Sequence, residues 1–63
     1  MSLIKNKRIE KGISQIDLSV KLGVSQSAVA KWETEQTVPR LPMLKKIAEA
    51  LDCKIIDLLE EEE

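Results

Sequence analysis

The stretch Ser14–Glu33, SQIDLSVKLGVSQSAVAKWE, decides how this chain folds. It divides at Gly23 into two short amphipathic halves. Ser14 offers a hydroxyl to the backbone N–H groups that open a helix, and Asp17 stands three residues on, as in a capping box. The apolar Leu18 and Leu22 follow at i, i+4. Gly23 ends this helix, because a helix C-terminus commonly needs a left-handed residue and glycine adopts that conformation without steric cost. Val24 plugs the turn. Ser25 caps a second helix whose inward face is Val29 and Trp32, spaced i, i+3. Ser19 is small where the second helix must cross close to the first.

A helix, a short glycine turn and a second helix together make a helix-turn-helix. The segment resembles the helix-turn-helix of the Cro/repressor family of lambdoid phages and bacteria, through Ser14-Gln15, Leu18, Leu22-Gly23-Val24-Ser25, Val29 and Trp32-Glu33. The likeness extends outward. Lys7-Arg8-Ile9 with Gly12 resembles the family's first helix and its exit. Pro39, Leu44, Ile47-Ala48 and Leu51 resemble its fourth helix, and Ile55, Leu58 and Leu59 its fifth. The likeness spans residues 4–59, and a match over several helices is far more specific than a lone helix-turn-helix pattern. It implies an all-α fold: a compact five-helix domain of the lambda-repressor-like class, with the helix-turn-helix at helices 2 and 3.

The expected helices run from about Leu3 to Lys11, Gln15 to Leu22, Gln26 to Thr34 and Leu41 to Leu51, with a fifth from Ile55 into the Glu60–Glu63 tail. Ile4, Arg8 and Ile9 face inward on the first, and Leu44, Ile47, Ala48 and Leu51 on the fourth. The stretch Glu35–Arg40 is a loop, since Pro39 disfavours helix at Val38, and Pro42 suits a first helical turn. Four acids near a helix C-terminus oppose its dipole, so the tail is expected to fray. Met1-Ser2-Leu3 is compatible with an expression scar, and nothing is built on it.

Composition fits this architecture. Sixty-three residues make one domain, 1–63, near the lower size at which a chain folds alone. One Trp and no Phe or Tyr leave the core to Leu, Ile and Val, a marginal core unless helix packing is efficient or a partner helps. No stretch reaches the length of a membrane span, and none resembles a signal peptide. The single Cys53 has no intramolecular disulfide partner, which fits a reducing cytoplasm. It sits where the family often has Val and reads as a small buried hydrophobe. With no His and one Cys, neither a metal site nor a cofactor is expected. No catalytic His, no Cys–base pair and no phosphate-cradling glycine loop points to an enzyme.

Net charge is −1, but its distribution is lopsided. Residues 1–31 carry Lys5, Lys7, Arg8, Lys11, Lys21 and Lys31 against Glu10 and Asp17. Residues 32–63 carry Arg40, Lys45, Lys46 and Lys54 against nine acids. Such asymmetry suggests a basic face and an acidic tail. The bland alternative is mixed solvated charge on every surface.

The outward face of the second motif helix carries Gln26, Ser27 and Lys31, opposite Val29 and Trp32. Gln pairs well with adenine, and Lys donates to guanine O6 and N7. These three are the candidates for base readout in the major groove; the alternative is a solvated helix face. Ala28 and Ala30 are small enough to touch thymine methyls, a weaker reading. The resemblance implies a phosphate contact for Gln15, against the alternative of an ordinary exposed amide. The helix start at Ser25, and Arg40, are further phosphate candidates. It also implies a partly buried ion pair between Arg8 and Glu33, since a charge on an inward face needs a partner. The chain departs from the family after Glu33. Many members have Asn-Gly or Thr-Gly there; this chain has Thr34-Glu35, which adds backbone strain and a charge of the same sign as DNA.

The function implied is sequence-specific binding of double-stranded DNA by a homodimeric transcriptional regulator, a repressor on a palindromic operator. By the same resemblance the dimer contact falls at the C-terminal end, with Ile55, Ile56 and Leu59 as candidates. The alternative is an antitoxin or other protein-interaction module that docks a protein partner through exposed apolar positions. Ile16 and Val20, at i, i+4 on helix 2, and Ile56 are such positions.

Overall fold

Three serines start three helices in the same way. The computed structural model describes residues 2–59, and the hydroxyls of Ser2, Ser14 and Ser25 accept from the N–H groups of Lys5 (3.2 Å), Asp17 (3.0 Å) and Ala28 (3.1 Å). Each serine has extended backbone angles, as an N-cap requires. They open α1 (Leu3–Glu10), α2 (Gln15–Leu22) and α3 (Gln26–Glu33). α4 (Leu41–Ala50) begins after Arg40, with a proline in its first turn and no side-chain cap. A single 3-10 turn, Ile55–Leu58, closes the described chain. Of the suspected scar, Met1 lies outside the described residues, while Ser2 caps α1 and Leu3 opens it. The Glu60–Glu63 tail also lies outside them.

The four α-helices end alike as well. One residue turns left-handed, and the N–H of the next reaches back over the last turn: Ile13 to the Arg8 carbonyl (3.0 Å), Val24 to Ser19 (3.0 Å), Gln36 to Lys31 (2.9 Å) and Cys53 to Ala48 (2.9 Å). This is the Schellman closure, which satisfies carbonyls that the helix leaves open. The left-handed residues are Gly12 (φ 70°), Gly23 (φ 72°), Glu35 (φ 63°) and Asp52 (φ 52°). Asp tolerates this region through its short polar side chain. Glu does not share that advantage, and the conformation costs it on the order of 1 kcal/mol. The strain expected from Glu35 in a glycine's place is therefore present in the backbone.

α2 packs on α3 and α4, α1 on α3 and the 3-10 turn, and α4 also on that turn. The core between them is aliphatic. Leu18, Val29, Ile47 and Leu51 are fully buried, joined by Ile4, Leu22, Leu44, Ala48 and Leu58. In so small a core, trimming Leu18 or Leu51 to alanine removes about 2–5 kcal/mol. Ser19 is buried too, and its hydroxyl donates to the Ile16 carbonyl at 2.7 Å. Cys53 packs on the rim of this core, and burial, with the charge of Asp57, pushes its thiol up. Among the described residues no helix is long and apolar enough to cross a membrane.

Two expectations are corrected. Ile9 does not face inward; it is 58 % exposed. At about 100° per residue it lies about 140° around the helix from Ile4, off the stripe that Ile4 and Arg8 share. The fifth helix is one 3-10 turn rather than an α-helix. The Asp57 carboxylate accepts from the Lys54 N–H at 3.0 Å, which starts the turn, and Leu59 is already extended. α1, α3 and α4 each end one residue earlier than expected.

Candidate nucleic-acid interface

The N-terminal residues of α2 and α3 meet. Gln15 opens α2 and Gln26 opens α3, and the Gln26 amide nitrogen donates to the Gln15 amide oxygen at 3.4 Å. Gln15 is itself held from below. Its nitrogen donates to Glu33 Oε1 at 3.0 Å. Glu33, whose side chain is 2 % exposed, is gripped in turn by Arg8. The guanidinium donates through Nε to Glu33 Oε2 (2.6 Å), through Nη2 to Oε1 (3.1 Å) and through Nη1 to the Ile13 carbonyl (2.8 Å). Four side chains on three helices thus form one network, with a buried end at Arg8–Glu33 and an exposed end at Gln26.

The electrostatics agree with this geometry. Burial alone pushes the Glu33 carboxyl up, but hydrogen bonds from Arg8 and Gln15 and the charges of Arg8 and Lys5 outweigh it, so the group is held below the usual carboxylate range. The hydrogen bond to Glu33 raises Arg8 against the opposing effect of burial. Both groups stay charged at neutral pH. No buried side-chain nitrogen or oxygen among the described residues lacks a partner, which is the condition under which a buried ion pair is tolerated.

Gln26, Ser27 and Lys31 are all exposed on α3, beside the half-buried Ala30. The eight residues of α3 make a helix about 12 Å long, and a helix diameter of about 10–12 Å is one that a major groove admits. The Ser25 hydroxyl accepts from the Ala28 N–H, and its own O–H remains available to donate outward. Gln15 likewise keeps one amide hydrogen free after its bond to Glu33. Arg40 is exposed at the start of α4, and no described hydrogen bond ties it to the α2–α3 corner. At the other end of the chain, Ile55 packs partly on the core, whereas Ile56 (68 %) and Leu59 are exposed. Among the described residues no cluster of His, Cys, Asp or Glu is arranged to hold a metal.

Sequence reasoning gave Gln15 a phosphate contact and a supporting role for the second motif helix, but missed its specific partners, Glu33 and Gln26. It also missed the Ile13 carbonyl as the third acceptor of Arg8. A main-chain acceptor leaves no mark in residue type.

Residues 4–58 match the family described as helix-turn-helix. The chain belongs to that family. This helix-turn-helix domain is of the Cro/repressor type: a relative, the HTH-type transcriptional regulator SinR of Bacillus subtilis (strain 168), is 39 % identical over 59 residues, covering 92 % of this chain and 53 % of SinR. A solved structure of the P22 c2 repressor in complex with a synthetic operator superposes with a TM-score of 0.83 at 32 % identity, covering 94 % of this chain and 89 % of that one. The SinR–SinI complex superposes equally well, with a TM-score of 0.83 at 36 % identity, covering 92 % of this chain and 57 % of the other. The helix-turn-helix domain thus spans about half the length of SinR.

Proposed function

We propose that this domain binds double-stranded DNA by sequence and regulates transcription, as a repressor working in the cytoplasm. The observation that carries the reading is the anchored corner of α2 and α3. Gln15 and Gln26 open adjacent helices and are hydrogen-bonded to each other, with Glu33 and Arg8 fixing them from the buried side. Groups that read base edges gain from being held in place before the DNA arrives. Gln26, Ser27 and Lys31 read bases, while Gln15, the N-terminal turn at Ser25, and Arg40 set register on phosphates. Similarity to a repressor solved on an operator supports the same role.

The domain acts as a homodimer through Ile56 and Leu59, with Ile55 behind them. Two copies present two α3 helices to successive major grooves about 34 Å apart on a near-palindromic site. The test is selection of bound duplexes from random DNA. A palindromic enriched motif is the expected result, and recovery of unrelated duplexes with no shared motif would count against sequence-specific binding.

A second reading, a protein-docking module such as an antitoxin, draws on the exposed Ile16 (57 %), Val20 (75 %) and Ile56. Salt separates the two. Binding to DNA weakens steeply as salt rises, because counterions are released, whereas an apolar interface does not weaken in this way.

A further inference from the structure

A cleft of about 320 Å³ opens between the start of α1, the α3–α4 loop and the 3-10 turn. Its walls are largely apolar, with Trp32, Leu44 and Leu58 deep and Val38 and Leu59 at the exposed edge. Among the described residues Glu35 is the single ionisable one in the lining. No described ion pair or side-chain hydrogen bond engages its carboxylate. The same residue holds the left-handed φ of 63° that glycine takes at the ends of α1 and α2. A strained, uncompensated acid beside a tryptophan is a local electrostatic feature that the fold does not require.

We propose that this cleft binds a small apolar primary amine. The hydrocarbon part lies against Trp32, Leu44 and Leu58, where it loses contact with water. The ammonium group meets the Glu35 carboxylate at the mouth, with the indole face adding attraction for the cation. The volume is at the lower end for ligand pockets, so the occupant is fragment-sized. Leu59 also belongs to the proposed dimer contact, so a second copy would border the cleft edge, while the Glu35 carboxylate selects a cationic group for the cleft itself. The proposal does not depend on DNA binding, and its test contains no DNA.

Trp32 is the only tryptophan in the chain, so its emission reports on the cleft. The experiment titrates the full chain at neutral pH with cyclohexylmethylamine and with cyclohexylmethanol, its uncharged isostere. A saturable emission change is expected, with the amine binding at least ten-fold tighter than the alcohol. Glu35→Gln and Glu35→Gly should each lose that preference while helicity is kept; the second also relieves the backbone. Backbone amide shifts on adding the amine should centre on Thr37, Val38 and Leu59. Equal affinity for amine and alcohol overturns the proposal, as do shifts centred on Ile16 and Val20. An emission change set by protein concentration rather than by amine concentration would place a second copy in the cleft and overturn it as well.

Discussion

Gln26 meets Gln15 through its amide nitrogen, at 3.4 Å, and so turns its amide oxygen away from α2. Glu33 fixes the direction, because it accepts from the Gln15 nitrogen and leaves the Gln15 oxygen for Gln26. The Gln26 oxygen and its second amide hydrogen are then free on the exposed side, the pair that adenine N6 and N7 require.

Base readout by α3 makes a quantitative expectation. Gln26→Ala and Lys31→Ala should each cost about 1–3 kcal/mol on the best duplex and much less on random DNA. Titrations on both duplexes measure the difference. Equal losses on the two would make these side chains phosphate contacts instead.

The Arg8–Glu33 pair should behave as a unit. Arg8→Met alone leaves Glu33 buried and unpaired, and should cost roughly 3–5 kcal/mol of stability. Adding Glu33→Leu removes the orphaned charge and should recover much of that loss. Urea unfolding of the parent, both single variants and the double variant closes the cycle. Strictly additive losses would show that the two side chains do not support each other.

Acid should unfold the protein partly through Glu33. Its carboxyl is held down in the folded state, so the folded chain binds this proton more weakly than the unfolded chain does. The stabilisation is complete above the unfolded carboxyl value of about 4.3 and is lost as pH falls through the lower folded value. Melting curves from neutral pH into acid should show a shallower decline for the Arg8→Met, Glu33→Leu variant than for the parent. An identical decline would assign acid sensitivity to other carboxylates.

The proposed dimer contact is open to a single substitution. Ile56 is exposed, so Ile56→Asp should leave the monomer folded, with its melting temperature nearly unchanged. Cooperative binding to a two-half-site duplex should be lost, while binding to one half-site is kept. A free dimer is expected to be weak, because small interfaces barely offset the lost freedom of motion. Full cooperativity in this variant would move the contact to Ile16 and Val20.

Much of this was legible in the chain because serine and glycine punctuate it. Ser14 and Gly23 bracket α2 to the residue, since a cap and a left-handed exit are set by local chemistry. Glu35 was readable as a departure, and its φ shows the consequence. Ile9 was misplaced because an isoleucine beside an inward arginine resembles core until the helical angle is followed around. The fifth helix was overextended because apolar spacing alone does not separate an α-helix from one 3-10 turn. The Gln15–Glu33 bond joins residues 18 apart in sequence, and nothing local announces it.

The helix-end closures and the ion pair differ in reach. Each closure spans five residues or fewer, whereas Arg8 and Glu33 are 25 apart. Short loops close fast and long ones carry a larger entropy cost. The helix ends are therefore expected to form early in the folding reaction and the ion pair late. Loss of the pair should appear mainly as faster unfolding, with the refolding rate little changed. In kinetic terms, Arg8 acts as a latch that sets how long the binding corner stays assembled once it has formed.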